Sequence, residues 1–561
     1  MSNPDATMTT GAAAESIGGG EAVGMPSLGL AASGLAAALG QGAAVVGEAT
    51  RLGVELIRIA SGRSDVAPAK GDRRFTDPAW TSNPAFRMIG QSYLASAQAL
   101  DRIVAAMGDG RSDTRAEQAR FAANIVTSAA APTNFLATNP AALKRAFDTG
   151  GMSLARGARN LAYDIRHNGA MPSMIEPGAF EVGRELAVTP GAVVARDTVT
   201  EILQYAPATD TVFARPVLVV PPPISRFYFL DLRPGRSFAE YAVSRGLQTF
   251  LLSWRNPTAE QGSWDLDAYA RAVLAAIDTV REITGSPDVN LIGFCAGGII
   301  ATTVLNYLAA LNDRRVHSMS YAVTLLDFGL RAPITAFSGR RLIAFAGRRS
   351  RRKGIITSRQ MGSAFTWLRP DDLVFNYWVN NYLMGEPPPA FDILAWNADG
   401  TNLPGALHGQ FLDIFRDNLL AQPGALRVLG TPLQLQKITV PTFVTGALTD
   451  HLTPWKGCYQ TTRLLGGPAT FVLSYSGHIA SLVNPPGNPK AYYWTGGPPG
   501  QDPDQWLAGA QKQQGSWWEA WADWIAARSG DPRPRPETLG SGLHPELGPA
   551  PGLYVRDMAP A

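Results

Sequence analysis

Cysteine is scarce: the 561-residue chain has two, Cys295 and Cys458. That excludes a disulfide scaffold and a cysteine-rich zinc site, and fits a reducing cytoplasm. Histidine is nearly as rare, with six residues, so an imidazole needed for chemistry has few possible sources. Charge is thin as well. Charged residues make up 17% of the chain against 45% hydrophobic, and a net charge of +3 at this length is too small for a nucleic-acid binder. No Lys or Arg precedes Arg51, so no secretory leader is expected. The uncharged run from Ala22 to Gly47 is long enough to cross a bilayer, but its Gly, Ala and Ser content makes insertion neutral or unfavourable. It reads as a soluble, weakly helical or disordered lead, and no transmembrane segment is expected.

What is present divides the chain into four parts. Residues 1–70 form a low-complexity Gly/Ala-rich lead that ends in an amphipathic stretch, with Val45, Leu52, Leu56 and Ile59 on one helical face. Residues 71–180 keep helical periodicity through Tyr93, Leu94, Leu100, Ile103 and Met107, then through Phe121, Ile125, Phe135, Leu143 and Phe147. This part shows no nucleophile, metal cluster or phosphate loop, so a helical domain for scaffolding or partners is expected. Residues 181–530 alternate strand-like and helical runs, among them a strand through Tyr321 to Leu326 and a Trp-rich helix with Trp506, Trp517, Trp518, Trp521 and Trp524, as a parallel sheet covered on both faces requires. Within them the alternation lapses over about 327–430, as expected for a cap or lid inserted above a sheet. Residues 531–561 are a Pro/Gly-rich, extended tail.

The sheet region centres on Val289-Asn290-Leu291-Ile292-Gly293-Phe294-Cys295-Ala296-Gly297-Gly298, followed by the apolar run Ile299–Leu305. A buried strand that meets one nucleophile between glycines and then turns helical reads as a nucleophile elbow of the α/β-hydrolase type. Gly293 and Gly297 are then steric requirements. A cysteine in place of the usual serine is the better nucleophile and gives the more reactive acyl intermediate, which favours acyl transfer over hydrolysis. The competing reading is a buried structural cysteine in a glycine-rich turn.

In such a sheet the acid and the base follow later strands, in the order nucleophile, acid, base. Asp450 follows the run Pro441–Ala447, and His478 follows Thr470–Ser474. Cys295, Asp450 and His478 are therefore the expected triad; otherwise Asp450 caps a helix start and His478 is a loop histidine. His451 either positions the loop or serves as a second base. The oxyanion hole is expected from the backbone amides of Ala296 and of Ile224, the first residue after Pro221-Pro222-Pro223 able to donate.

These stretches, with Ser253-Trp254-Arg255-Asn256-Pro257, Leu368-Arg369-Pro370-Asp371-Asp372-Leu373, Trp396-Asn397-Ala398-Asp399 and Ser476-Gly477-His478-Ile479, resemble the polyhydroxyalkanoate synthases from about residue 140 to 528. Thr189–Val194 and Asn484–Ala491 are similar to the class II, medium-chain branch. The resemblance implies an α/β-hydrolase fold with a cap/lid insertion and an N-terminal helical domain. It also implies polymerisation of (R)-3-hydroxyacyl-CoA through an acyl-Cys295 thioester, with CoA released and no metal or further cofactor. A homodimer resident on polymer granules in the cytoplasm is implied too, with Asp231 and Arg369 near the site in supporting roles; the alternatives for these two residues are a salt bridge and a helix cap. The basic run Arg340-Arg341, Arg348-Arg349 and Arg351-Arg352-Lys353 departs from the family; it is a solvated face or a contact for CoA phosphates. The rival functions are a hydrolase on the same fold (esterase, thioesterase or depolymerase) and a granule-coating protein with an inert site.

Overall fold

The protein is described by a computed structural model over residues 42–106, 114–176, 178–329 and 340–557. The lead up to residue 41, Met107, part of the expected cap (residues 330–339) and the last four residues lie outside them. The chain divides into two units: residues 1–179, 333–346 and 359–391 form the first, and 180–332, 347–358 and 392–561 the second.

The first unit is helical: α1 (Gly42–Ala60), α2 (Pro84–Ala105), α3 (Thr114–Ala129), α4 (Pro140–Asp148) and α5 (Met152–His167). Helix α2 starts where Pro84 follows Asn83, whose side chain accepts the amides of Ala85 and Phe86. On α1 the apolar face buries Ile59, and Glu48 receives Arg102 Nε at 2.6 Å. Residues 359–391, from the segment expected to form the cap, belong to this unit. Two π-helical turns in it, Asp371–Phe375 and Trp378–Leu383, lie against the helices, with Trp378 Nε1 on Asn134 O (3.0 Å) and Tyr382 Oη on Asp164 (2.8 Å).

The second unit is built on an eleven-stranded sheet. Its strands are β1 (Gly191–Arg196), β2 (Thr200–Tyr205), β3 (Val217–Val220), β4 (Thr249–Trp254), β5 (Val289–Phe294), β6 (Val316–Ala322), β7 (Thr442–Ala447), β8 (Ala469–Ser474), β9 (Tyr492–Thr495), β10 (Gln511–Gln514) and β11 (Gly548–Pro549). Across the sheet the order is β10-β9-β8-β7-β6-β5-β3-β4-β2-β1-β11. The middle strands from β8 to β4 are parallel, and the outer pairs on both sides are antiparallel. Every residue of β3, β4 and β5 is buried, as helices on both faces require.

The helices follow the expected pattern. Asp265 caps α6 (Leu266–Thr284), whose Tyr269, Val273, Ile277 and Val280 are buried, and Gly285 ends it with φ +65°. Helix α7 (Ala296–Ala310), directly after the elbow, is apolar nearly all round because it is buried. In two places the structure departs from expectation. The strand expected over Tyr321–Leu326 ends at Ala322, because Val323 turns to φ +45° and Thr324 bonds its hydroxyl to Cys295 O at 2.9 Å. The expected single tryptophan-rich helix is two. Trp506 sits on Pro503–Gly509, and β10 separates it from the helix Trp517–Ala526, which is closed by a Ser516/Glu519 capping box.

The glycines of the elbow are close-packed. A Cβ on Gly293 would sit 2.5 Å from Gly298 Cα, and one on Gly297 would fall on the carbonyl oxygens of Val220 and Pro221. Gly297→Ala is expected to cost about 1–3 kcal/mol in denaturant titration. Gly53→Ala, on an open face of α1, should be neutral or stabilise by about 0.5–1 kcal/mol; equal effects would refute the steric account.

Candidate active site

Parallel strands end at one edge, so the turns after β3, β5, β7 and β8 gather side chains from distant parts of the chain. At the end of β5, Cys295 takes φ +49° and ψ −122°, a costly conformation for a residue with a Cβ. It is fixed by its amide on Ala322 O (2.9 Å) and by its carbonyl, which accepts from Gly298 N (3.0 Å) and Thr324 Oγ1 (2.9 Å). The thiol is half-buried. The second cysteine differs: Cys458 is fully buried, faces Thr453 O at 3.6 Å, and burial pushes its thiol well above the usual range.

Strands β7 and β8 are neighbours with Ala447 opposite Ser474. Asp450 and His478 therefore stand at nearly equal heights beyond their strand ends. His478 Nδ1 lies 2.6 Å from Asp450 Oδ2, with the two side chains 6% and 0% exposed. Asp450 does two jobs at once. Its Oδ1 accepts the amides of Leu452 (2.8 Å) and Thr453 (2.9 Å), capping the turn ahead of helix Trp455–Leu464, while Oδ2 takes the imidazole and the Thr453 hydroxyl (2.7 Å). One carboxylate thus holds the imidazole and the Leu452–Thr453 turn, while the helix itself starts from Pro454 without the side-chain cap considered for Asp450.

Burial alone would lower the His478 pKa. The charge and hydrogen bond of Asp450, with a further hydrogen bond and charge from the Cys295 side chain, outweigh it and push the pKa up to about 10. Burial would raise Asp450, but the His478 charge and the bonds from His478 and Thr453 hold it below its ordinary value. The ring is thus fixed by Asp450 at Nδ1, and the Cys295 side chain is near enough to add to the shift. The short helix His478–Leu482 is held by the tryptophan helix: Trp517 Nε1 donates to Ser481 O (2.9 Å) and Trp518 Nε1 to Leu482 O (3.2 Å).

The loop after β3 lies against the elbow, since Val220 O and Pro221 O close over Gly297. Ile224 follows in it, half-buried. Arg226, 2% exposed, fastens this loop to the chain's far end: Nη1 donates to Tyr554 O (3.1 Å), Nη2 to Asp557 O, and Nε to Asp399 (3.2 Å). Asn256 Nδ2 also reaches Asp557 O (3.2 Å).

The remaining expected residues are placed as follows. His451 is half-buried beside Asp450. Asp231 is buried and accepts hydroxyls from Thr189, Ser237 (2.8 Å) and Tyr205 (3.4 Å), which is neither the salt bridge nor the helix cap considered for it. Arg369 belongs to the first unit, where its half-exposed side chain pairs with Asp372 at 2.5 Å. Arg348, Arg351, Arg352 and Lys353 of the basic run are exposed on the helix Arg340–Lys353. Thr453, bonded to both Asp450 and His478, was missed; the spacing Asp450-x-x-Thr453, similar to a capping box, was its available signal. Among the described residues no cluster of His, Cys, Asp and Glu is arranged to hold a metal, and no helix is long and apolar enough to cross a membrane.

A parallel-centred sheet with a strained strand-to-helix turn, and an Asp–His pair after the second and third strands beyond it, defines the α/β-hydrolase fold, here with cysteine at the turn. Residues 234–485 match the alpha/beta hydrolase fold profile, and residues 71–242 match that of the poly-beta-hydroxybutyrate polymerase (PhaC) N-terminus. The chain is 45% identical over 505 residues to poly(3-hydroxyalkanoate) polymerase 2 of Ectopseudomonas oleovorans, covering 90% of each chain. It is 40% identical over 509 residues to the poly(3-hydroxyalkanoate) polymerase subunit PhaC of Cupriavidus necator, covering 89% of this chain and 86% of that one. The chain belongs to the poly(3-hydroxyalkanoate) polymerase family and is an acyltransferase-type enzyme.

The shifts fix a pH dependence. His478 titrates above its ordinary value in the fold, so the stability it confers is complete below 6.5 and is lost as pH rises through about 10. Asp450 titrates below 3.8, so its share is complete above 3.8 and is lost as pH falls through the folded value. Unfolding of the parent and of Asp450→Asn, compared across pH, should differ most at about pH 5–6 and least at about pH 10. A gap independent of pH would refute the pairing.

Proposed function

We propose that the protein polymerises (R)-3-hydroxyacyl-CoA into polyhydroxyalkanoate and releases CoA, through a thioester on Cys295. The observation that carries this is the 2.6 Å Asp450–His478 contact, with the Cys295 side chain near enough to the same ring to raise its pKa. His478 already holds the proton given up by the thiol, in keeping with its raised pKa, and the sulfur attacks the acyl-CoA carbonyl. The tetrahedral oxyanion sits on the amides of Ala296 and Ile224, and the bond to CoA sulfur breaks as CoA leaves with a proton from His478. The 3-hydroxyl of a second unit, relieved of its proton by the His478–Asp450 pair, then attacks the acyl-Cys295 carbonyl. An ester forms and the cysteine thiol is restored. A thioester becomes an oxoester in each cycle, so neither ATP nor a metal or further cofactor is needed; CoA is part of the substrate and a product.

Water would divert the intermediate to free acid. Cys295 lies at the margin of an apolar cluster that contains Phe229, Phe294 and Trp396, which supports transfer to a hydroxyl over hydrolysis. Family membership supports a homodimer and residence on polymer granules in the cytoplasm.

Cys295→Ala is expected to lower CoA release by at least about a thousandfold with the fold intact by circular dichroism; substantial residual turnover would overturn the nucleophile. His478→Gln should cost roughly a hundred- to ten-thousandfold, and unchanged activity would move the base to His451. Short- and medium-chain substrates assayed side by side report the acyl preference. Free 3-hydroxy acid in place of polymer would favour the hydrolase reading.

A further inference from the structure

A tetrahedral oxyanion held by Ala296 and Ile224 needs two aimed amides, and the fold directs them by different means. Ala296 N is the first amide of its helix, so helix geometry alone sets its direction. Ile224 lies in a turn, where no ladder orients its N–H, and among the described residues that N–H donates to no protein group. Its direction has to come from a neighbour.

The Pro223–Ile224 peptide is trans. Such a group is planar, with its C=O and N–H pointing opposite ways, so whatever holds Pro223 O also aims the Ile224 N–H. Thr401 Oγ1 donates to Pro223 O at 3.2 Å. Thr401 is 5% exposed, so little solvent competes for that hydroxyl.

Both neighbours of Thr401 are pinned in turn. Gly400 bridges to Ser225, the residue after Ile224. Asn402 donates its amide to Asn256 Oδ1 (2.8 Å) and its Nδ2 to Pro257 O (3.0 Å), while its Oδ1 accepts the Ser358 amide (3.0 Å). Two further carbonyls of the loop are taken by indoles: Pro221 O by Trp254 Nε1 (2.8 Å) and Arg226 O by Trp396 Nε1 (2.8 Å). The loop is thus fixed at both ends, and the Thr401 hydroxyl is the contact on the donor's own peptide group. We propose that Thr401 is a positioning residue of the reaction: through the shared peptide plane its hydroxyl aims the Ile224 amide at the oxyanion. The inference rests on the polymerase reading above, with Ile224 as the second donor. It confines the effect of Thr401 to steps that build negative charge on an acyl oxygen.

The test compares two variants of the full-length enzyme: Thr401→Val, which keeps the shape and removes the donor, and Thr401→Ser, which keeps the donor. CoA release from (R)-3-hydroxyacyl-CoA gives kcat and KM. Alkylation of Cys295 by iodoacetamide, followed on the Cys295 peptide by mass spectrometry, is a displacement at saturated carbon that builds no oxyanion. It therefore reports the cysteine and imidazole without the second donor. Losing an oxyanion donor outright costs about a hundred- to a thousandfold in kcat, so a mis-aimed one in Thr401→Val should cost about ten- to a hundredfold. KM should stay within about twofold and alkylation should keep the parent rate, because binding and thiolate are untouched. Thr401→Ser should recover most of kcat. If Thr401→Val does not fold, Thr401→Ala is read in the same way. Unchanged kcat, a serine variant no better than valine, or alkylation falling in step with kcat would each overturn the proposal. The polymerase reading fails on different results, CoA release retained in Cys295→Ala or free acid in place of polymer, and neither involves Thr401.

Discussion

The hydrogen bond between Asp450 and His478 is the contact to which the rest of the second unit is fitted. Both groups are out of water, and a buried charge that loses its partner costs about 3–5 kcal/mol. The loops after β7 and β8 therefore hold each other in place. Because Oδ1 of the carboxylate is occupied by two backbone amides, Oδ2 has one orientation, and the imidazole inherits it. With Nδ1 committed, a single ring nitrogen is left for the thiol.

Around this contact the fold removes freedom from one element after another. The helix carrying His478 spans residues 478–482, too short to persist alone. Two indole N–H groups from the tryptophan helix take its terminal carbonyls, so bulky residues that read as plain core also serve as caps. On the opposite side the cysteine is held in an unfavourable conformation by close-packed glycines and by the Thr324 hydroxyl. The site is rigid because nearly every backbone group beside it already has a partner.

Much of this was readable from the sequence because it is local. An apolar run ending at glycines around Cys295 specifies strand, turn and helix within a dozen residues. Asp450 and His478 stood out because each follows a strand in a chain with few histidines. What was not readable depends on contacts between distant residues. Strand β2 carries Glu201 and Gln204, whose polarity hides their burial. Glu201 is satisfied by Arg196 and by the amides of Leu553 and Tyr554, and Gln204 by Gly540. Asp231 invited an ionic reading because its hydroxyl partners are scattered from Thr189 to Ser237. Composition likewise could not separate Trp506 from the tryptophans after it.

The grip of Arg226 on residues 554 and 557 ties the loop after Pro223 to partners 328 and 331 residues further along the chain. A contact that spans so much chain carries a larger loop-closure entropy cost than a local one. The strand, turn and helix around Cys295 are contiguous in sequence and need no such closure, so the loop beside them is the slower part of this unit to order.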